Sequence, residues 1–279
     1  LKEKKLGELL KTATEELKKE GIETARLDAE LLACEVLGVE RSYLYAHPEK
    51  VLSGEEVKKF FNLVERRKKH EPIAYITRKK EFLFFEFKVE KGVFIPRPET
   101  EILVLEVYRR IRGREGLKIV DVGTGSGAIL VSLCKLLGEK NTYIGTDISF
   151  KALTVAKENA KRLNCKCHFV RTSILDGINF ADVVVSNPPY VGRGEETDIS
   201  VKFEPEEAIY GGEKGTEFIF KLVKEAGKVV KKGGLLAVEV GIKQWKEVVR
   251  MFKEEGFKNV EVVKDLAGIE RVVLGWKSS

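Results

Sequence analysis

Lys118-Ile119-Val120-Asp121-Val122-Gly123-Thr124-Gly125-Ser126-Gly127 sets an apolar, β-branched run directly against a glycine-rich turn. A helical stretch, Ile129–Leu137, follows it. A buried strand, a tight turn and a helix in that order start a βαβ unit. Outward from it, apolar runs recur at Tyr143–Thr146, His168–Arg171, Asp182–Ser186 and Leu235–Val240. Helical stretches at Leu153–Leu163 and Phe218–Val230 lie between them. This alternation predicts a parallel sheet covered on both faces. Two last strands, Val260–Lys264 and Arg271–Gly275, are separated by too few residues for a crossover, so the sheet is expected to end in an antiparallel pair.

The first seventy residues read differently. Leu6, Leu9, Leu10, Ala13 and Leu17 repeat at helical spacing up to Gly21, and Leu27, Leu31 and Leu32 begin a second helix that stops near Gly38. Ser53 and Glu56 have the spacing of a capping box, opening a third helix with Val57, Phe60, Phe61 and Val64 inside and Pro72 as its end. Aromatic and β-branched residues dominate from Tyr75 to Phe94, which predicts a linking hairpin with Gly92 as its turn. The expected organisation is a helical domain over 1–74, a hairpin over 75–95 and an α/β domain over 96–279.

Composition bounds the chemistry. Of 279 residues, 43% are hydrophobic and 34% charged, the balance of a globular enzyme, and no apolar run approaches the ~18 residues of a membrane span. The three histidines are scattered and only Cys165 and Cys167 lie close together, which argues against a metal site. The four cysteines read as free thiols of a reducing cytoplasm. Net charge is +6, but residues 1–75 hold 15 basic and 15 acidic side chains. A neutral N-terminal domain looks like a protein-contacting or structural unit, and stable nucleic-acid binding is not expected.

Three strand ends carry candidate chemistry. Gly123, Thr124, Gly125, Ser126 and Gly127 allow a close backbone approach to a ligand. Asp147, twenty residues beyond Gly127, can accept from both hydroxyls of a ribose. The third glycine comes one residue too early for the dinucleotide pattern, which favours S-adenosylmethionine over NAD. Asn187-Pro188-Pro189-Tyr190 closes a further strand. An Asn oxygen and the Pro188 carbonyl are two acceptors that can hold the N–H bonds of a conjugated amino group, and Tyr190 offers an aromatic wall. No general base is required, since the nitrogen becomes acidic as the methyl arrives. A proline turn that merely closes a strand is the plain alternative.

These segments, with Ala25–Leu32, Glu71–Tyr75, Ile95-Pro96-Arg97-Pro98-Glu99-Thr100-Glu101, Glu204-Pro205, Gly211-Gly212 and Asp265–Gly268, give the chain a resemblance to the HemK-type protein-glutamine methyltransferases. Enzymes of that family methylate the glutamine amide in the Gly-Gly-Gln loop of class 1 peptide chain release factors. The resemblance implies a seven-stranded, Rossmann-like S-adenosylmethionine-dependent fold with a small helical N-terminal domain that contacts the release factor. It implies that Gly123–Gly127 line the methionine end of the cofactor, that Asp147 binds ribose, and that Ser173 and Ile174 meet adenine. Asn187, Pro188, Pro189 and Tyr190 would grip the glutamine, with Arg97 and Thr100 passing beside it. Arg26 and Asp28 read as an ion pair internal to the fold. Because the Asn187 turn is shared with enzymes that methylate amino groups of DNA or RNA bases, that activity is the alternative.

Overall fold

The computed structural model describes residues 2–278. Contacts divide the chain into two compact units, Leu1–Lys79 with Asp198–Phe203, and Lys80–Thr197 with Glu204–Ser279. The sequence reading placed 198–203 with the larger domain, whereas the 3₁₀ turn Ile199–Phe203 clusters with the helical unit.

In the smaller unit, β1 (Lys4–Lys5) precedes α1 (Leu6–Lys19), α2 (Ala25–Leu37) and α3 (Arg41–Ala46). Next come β2 (Val51–Leu52), antiparallel to β1, then α4 (Gly54–Lys68) and α5 (Ile73–Thr77). Leu6, Leu9, Ala13 and Leu17 form one fully buried stripe of α1, packed with Leu32, Val57, Phe60 and Val64. Gly38, at φ 64°, takes the left-handed conformation that ends α2. The capping box is present: the Ser53 amide donates to Glu56 Oε2 at 2.8 Å, and the Glu56 amide donates to Ser53 Oγ at 3.3 Å. Helix α4 stops at Lys68, before Pro72, which instead precedes α5. Arg26 and Asp28 do not pair with each other. Arg26 meets Glu30 at 3.1 Å, while Asp28 accepts from Arg67 at 2.7 Å. Side chains four apart face one another on a helix and those two apart do not.

The boundary at Lys79 falls on the first residue of β3 (Lys79–Phe82), which pairs with β4 (Phe85–Lys88) as a hairpin at the start of the larger unit. Its turn is Leu83-Phe84, not Gly92: Leu83 takes φ 52°, and its amide is held by Glu101 Oε1 at 2.8 Å. A carboxylate supplied from outside the turn replaces the glycine that a two-residue loop would otherwise favour. Then follow α6 (Thr100–Ile111), β5 (Lys118–Val122), α7 (Ala128–Leu137), β6 (Thr142–Asp147), α8 (Phe150–Arg162), β7 (Cys167–Arg171) and β8 (Ala181–Ser186). After β9 (Val191–Gly192), α9 (Glu206–Ile209) and β10 (Tyr210–Gly212) come α10 (Glu217–Val229), β11 (Val230–Glu239), α11 (Trp245–Glu254), β12 (Phe257–Lys264) and β13 (Glu270–Lys277).

Seven strands form one sheet in the order β12-β13-β11-β8-β5-β6-β7, parallel except where β13 runs antiparallel to both neighbours. Side chains alternate between two cores. Ile119, Val183, Val185 and Leu235 pack on one face with Leu103 and Leu130, while Val120, Val122, Val184 and Leu236 pack on the other with Leu222 and Val223. Burial on both faces explains why the central strands lack a polar alternate position. The chain leaves β5 for β6 on one side and later returns as β8 on the other, so the sheet reverses direction beside β5. A crevice at the carboxyl ends of the strands is the usual result of such a reversal.

Candidate active site

Strand register brings the three predicted segments together. Val122 is opposite Thr146 in β6 and opposite Ser186 in β8, so Gly123, Asp147 and Asn187 leave adjacent strands at one edge. There they line a cleft of about 690 Å³, measured out to bulk solvent. Val93, Phe94, Ile148, Ile174 and Phe218 give it apolar walls. Such walls with a few convergent polar groups suit a nucleoside.

The glycine loop is pinned by backbone. The amides of Gly123 and Thr124 both donate to the Thr146 carbonyl, at 2.8 and 2.9 Å. Gly125, at φ 55°, donates its amide to Asp147 Oδ2 at 2.9 Å, and the Ser149 amide donates to Oδ1 at 2.9 Å. Burial pushes the Asp147 carboxyl above its usual range, while these amides pull the other way. Each carboxylate oxygen keeps lone-pair capacity for a diol. Asn159 braces the loop from behind, donating to the carbonyls of Ser126 and Lys88 at 2.9 Å each. Its own oxygen accepts from the Lys88 amide at 2.8 Å.

Thr124 and Ser126 are buried outside the cleft lining. The Thr124 hydroxyl donates to Asp121 Oδ2 at 2.6 Å, which makes it a support of the loop. Gly127, at φ 82°, opens α7 where a Cβ would come within 3.2 Å of Ala156 Cβ. Ile174 lines the cleft, but Ser173 is exposed and outside it, and Thr172 takes the place expected for Ser173.

The Asn187 turn carries the sharpest polar signal. Asn187 Nδ2 donates to Thr100 Oγ1 at 2.9 Å, while Asn187 Oδ1 is buried without a hydrogen-bond partner. A carbonyl oxygen in that state is costly unless something else completes it. Thr100 itself, at 3% exposure, is buried behind Asn187, whereas it was expected to pass beside the bound glutamine. Pro189 lines the cleft and Pro188 is buried behind it. Tyr190 is not part of the cleft lining. Its ring packs against the second core, its hydroxyl is 3.4 Å from Glu239 Oε1, and its carbonyl accepts from Gln244 Nε2 at 2.8 Å. Arg97 pairs with Glu204 and lies over the Phe94 ring at 4.8 Å.

A backbone brace holds the turn. A Cβ on Gly211 would stand 2.4 Å from the Pro189 carbonyl oxygen, and one on Gly215 would stand 2.3 Å from that of Tyr190. Both are closer than any side chain is tolerated.

Comparison with known proteins follows the same division. A family described as the PrmC N-terminal domain matches residues 8–77, and a methyltransferase domain family matches residues 114–271. The release factor glutamine methyltransferase of Clostridium acetobutylicum is 38% identical, covering 97% of this chain and 98% of its own length. The chain belongs to the release factor glutamine methyltransferase family. A second member, from Rhodopirellula baltica, is 35% identical over 95% of this chain and 94% of its own. At fold level, a methyltransferase structure from Pyrococcus furiosus superposes with a TM-score of 0.54 at 19% identity, covering 69% of this chain and 89% of that one.

As a methyltransferase of this family, the chain uses S-adenosylmethionine. The cleft fits that cofactor on its own terms: an acid with free lone pairs stands where a ribose would lie, bare glycine backbone where an amino-acid end would lie, and apolar walls beyond. Asn159 and Glu239 escaped the sequence reading, and Asp121 and Glu204 appear in its motifs without a role. Asp121 had a signal, being an acid between Ile119-Val120 and Val122 in a buried strand. Glu239 had the same one, following Leu235–Val238.

Proposed function

We propose that the chain transfers a methyl group from S-adenosylmethionine to the side-chain amide nitrogen of the glutamine in the Gly-Gly-Gln loop of class 1 peptide chain release factors. The observation that carries this reading is Asn187 Oδ1, buried, unpartnered and at the strand end beside the cofactor cleft. When bound, the cofactor supplies an electrophilic methyl on a sulfonium. The chain's part is to aim a poor nucleophile at it. Asn187 Oδ1 accepts one N–H of the glutamine amide and the Pro188 carbonyl the other, and both bonds strengthen as that nitrogen loses its resonance and becomes acidic. Gly123, Gly125 and Asp147 hold the cofactor, with Ile148, Thr172 and Ile174 against its base. The relatives' names support a release factor as the acceptor.

The helical unit, spanning roughly 1–79, is the part we assign to release-factor recognition, in a cytoplasmic enzyme. Among the described residues no helix is long and apolar enough to cross a membrane. Methylation of DNA or RNA bases would employ the same turn, but the N-terminal segment carries as many acidic as basic side chains and so lacks the net positive charge that a phosphate backbone favours. The test is methyl transfer from labelled cofactor, offering a class 1 release factor, its Gln-substituted variant, DNA and ribosomal RNA in parallel. Label confined to the release factor with the intact glutamine is the expected outcome; label on nucleic acid alone overturns the proposal.

A further inference from the structure

Gln244 caps the start of α11, and its side chain reaches two loops at once. Nε2 donates to the Tyr190 carbonyl at 2.8 Å, and Oε1 accepts from the Gly241 amide at 2.9 Å. The first partner closes the turn that leaves β8, and the second lies just past the end of β11. Both are main-chain groups with a single role, a carbonyl that only accepts and an amide that only donates. They leave the carboxamide one orientation, and an ionised carboxylate of the same shape would lack the donor.

This corner is close-packed. A Cβ on Gly241 would stand 2.8 Å from Gln244 Oε1 and 3.2 Å from Tyr190 Cδ2, so the three residues fit together only with bare main chain at 241. Lys243, between Gly241 and Gln244, takes φ 69°, a conformation uncommon for a residue with a side chain. The turn is therefore held in an unfavoured form that brings Gln244 back onto Tyr190, and such local strain collects at functional sites.

The Asn187 turn is already fixed at its entry. The Ser186 hydroxyl donates to the Val122 carbonyl at 2.7 Å, and Asn187 Nδ2 donates to Thr100 Oγ1 at 2.9 Å. The two proline rings then lock φ at 188 and 189. With those torsions locked, holding the far end as well leaves the Pro188 carbonyl one direction. Gln244 holds that far end.

We propose that Gln244 is a positioning residue for methyl transfer: by tying the Tyr190 carbonyl to the loop after β11, it fixes the exit of the Asn187 turn and with it the acceptors that aim the glutamine nitrogen. This rests on the function proposed above.

The experiment is single-turnover methyl transfer to a class 1 release factor by the full chain, with cofactor affinity by calorimetry, read below the melting temperature of each variant. Gln244→Glu keeps the shape and the acceptor for the Gly241 amide, and its charge suits a helix N-terminus, but it sets an oxygen against the Tyr190 carbonyl. A side chain that served only to shape the 241–244 turn would tolerate this change with full activity. The rate is instead expected to fall on the order of 10- to 100-fold, since small misplacement is enough to slow an aligned transfer. Cofactor affinity and the release-factor concentration for half-maximal rate should stay within about threefold. Gln244→Leu, which removes both bonds without adding a charge, should show the same split. Gln244→Glu combined with Asn187→Ala should lose less than the product of the two single losses, because both act on one turn. A full product would place the action of Gln244 elsewhere and overturn the proposal. So would a wild-type rate in Gln244→Glu, and the function would then stand as long as Asn187→Ala is slow. Failure of the unaltered chain to label any release factor would instead remove the function itself. Should Gln244→Glu melt too early to assay, Gln244→Leu decides, and a near-normal rate there overturns the inference.

Discussion

Arg97 and Glu204, 107 positions apart, form an ion pair whose carboxylate is almost sealed from water, at 1% side-chain exposure against 29% for the arginine. The other Glu204 oxygen accepts the Ile95 amide at 3.0 Å. The pair therefore ties the Pro96–Glu101 segment to the stretch that begins α9. Removing the cation leaves a buried charge behind. Arg97→Ala is expected to cost about 2–4 kcal/mol, below the loss for a fully buried pair because the guanidinium is partly wet. Thermal melting should show a fall of several degrees, and Glu204→Gln should cost less than Arg97→Ala.

Asn187→Ala deletes one acceptor that acts mainly in the transition state. Turnover should fall on the order of 100-fold or more, while cofactor affinity changes little. Calorimetric titration with S-adenosylmethionine alongside single-turnover rates separates the two effects. A variant with near-normal turnover would sink the role given to this side chain.

Asp147→Asn tests the cleft from the other side. The amide cannot accept at both oxygen positions, so a ribose contact is lost and the Gly125 or Ser149 amide loses its partner. Weakening of cofactor binding by roughly 10- to 100-fold is expected from losing hydrogen bonds to a charged group. At saturating cofactor the turnover should recover most of its value. Equal loss in both quantities would argue that Asp147 does more than bind.

Asp121 sets a pH dependence of stability. It is fully buried, one oxygen is bonded to Thr124 and the other is unpartnered, and burial pushes its pKa from 3.8 up to about 7. Between those two values the folded chain holds a proton that the unfolded chain has released. Stability therefore falls as pH rises from about 4 to about 7 and levels off above that. Asp121→Asn should flatten this slope, read as the denaturation midpoint at pH 4.5 against pH 7.5. An unchanged slope would mean that the carboxyl titrates normally in the folded state.

Much of the site was legible because its parts sit at strand ends, where a periodic pattern stops abruptly. Val122, Thr146 and Ser186 each close an apolar run, and the residue after each of them faces the cleft. The hairpin turn was misplaced because Leu83 holds a positive φ through a carboxylate eighteen positions away, which no local pattern encodes. Thr100 was expected beside the glutamine because sequence reveals neighbours along the chain and not depth: it lies one layer beneath Asn187. The absence of Ser173 from the lining has a local cause, since Thr172 and Ile174 flank it toward the cleft while Ser173 points to solvent. Partners such as Asn159 and Glu204 become visible only when distant segments meet.

The brace behind the Asn187 turn bears on how such an enzyme can be redesigned. At positions 211 and 215 the Pro189 and Tyr190 carbonyls rest against naked main chain, so a library built there would return glycine alone. The geometry that holds the accepting nitrogen is thus closed to stepwise tuning. Engineering toward a new acceptor protein would have to leave that pocket untouched and draw its variation from surfaces that choose which protein arrives.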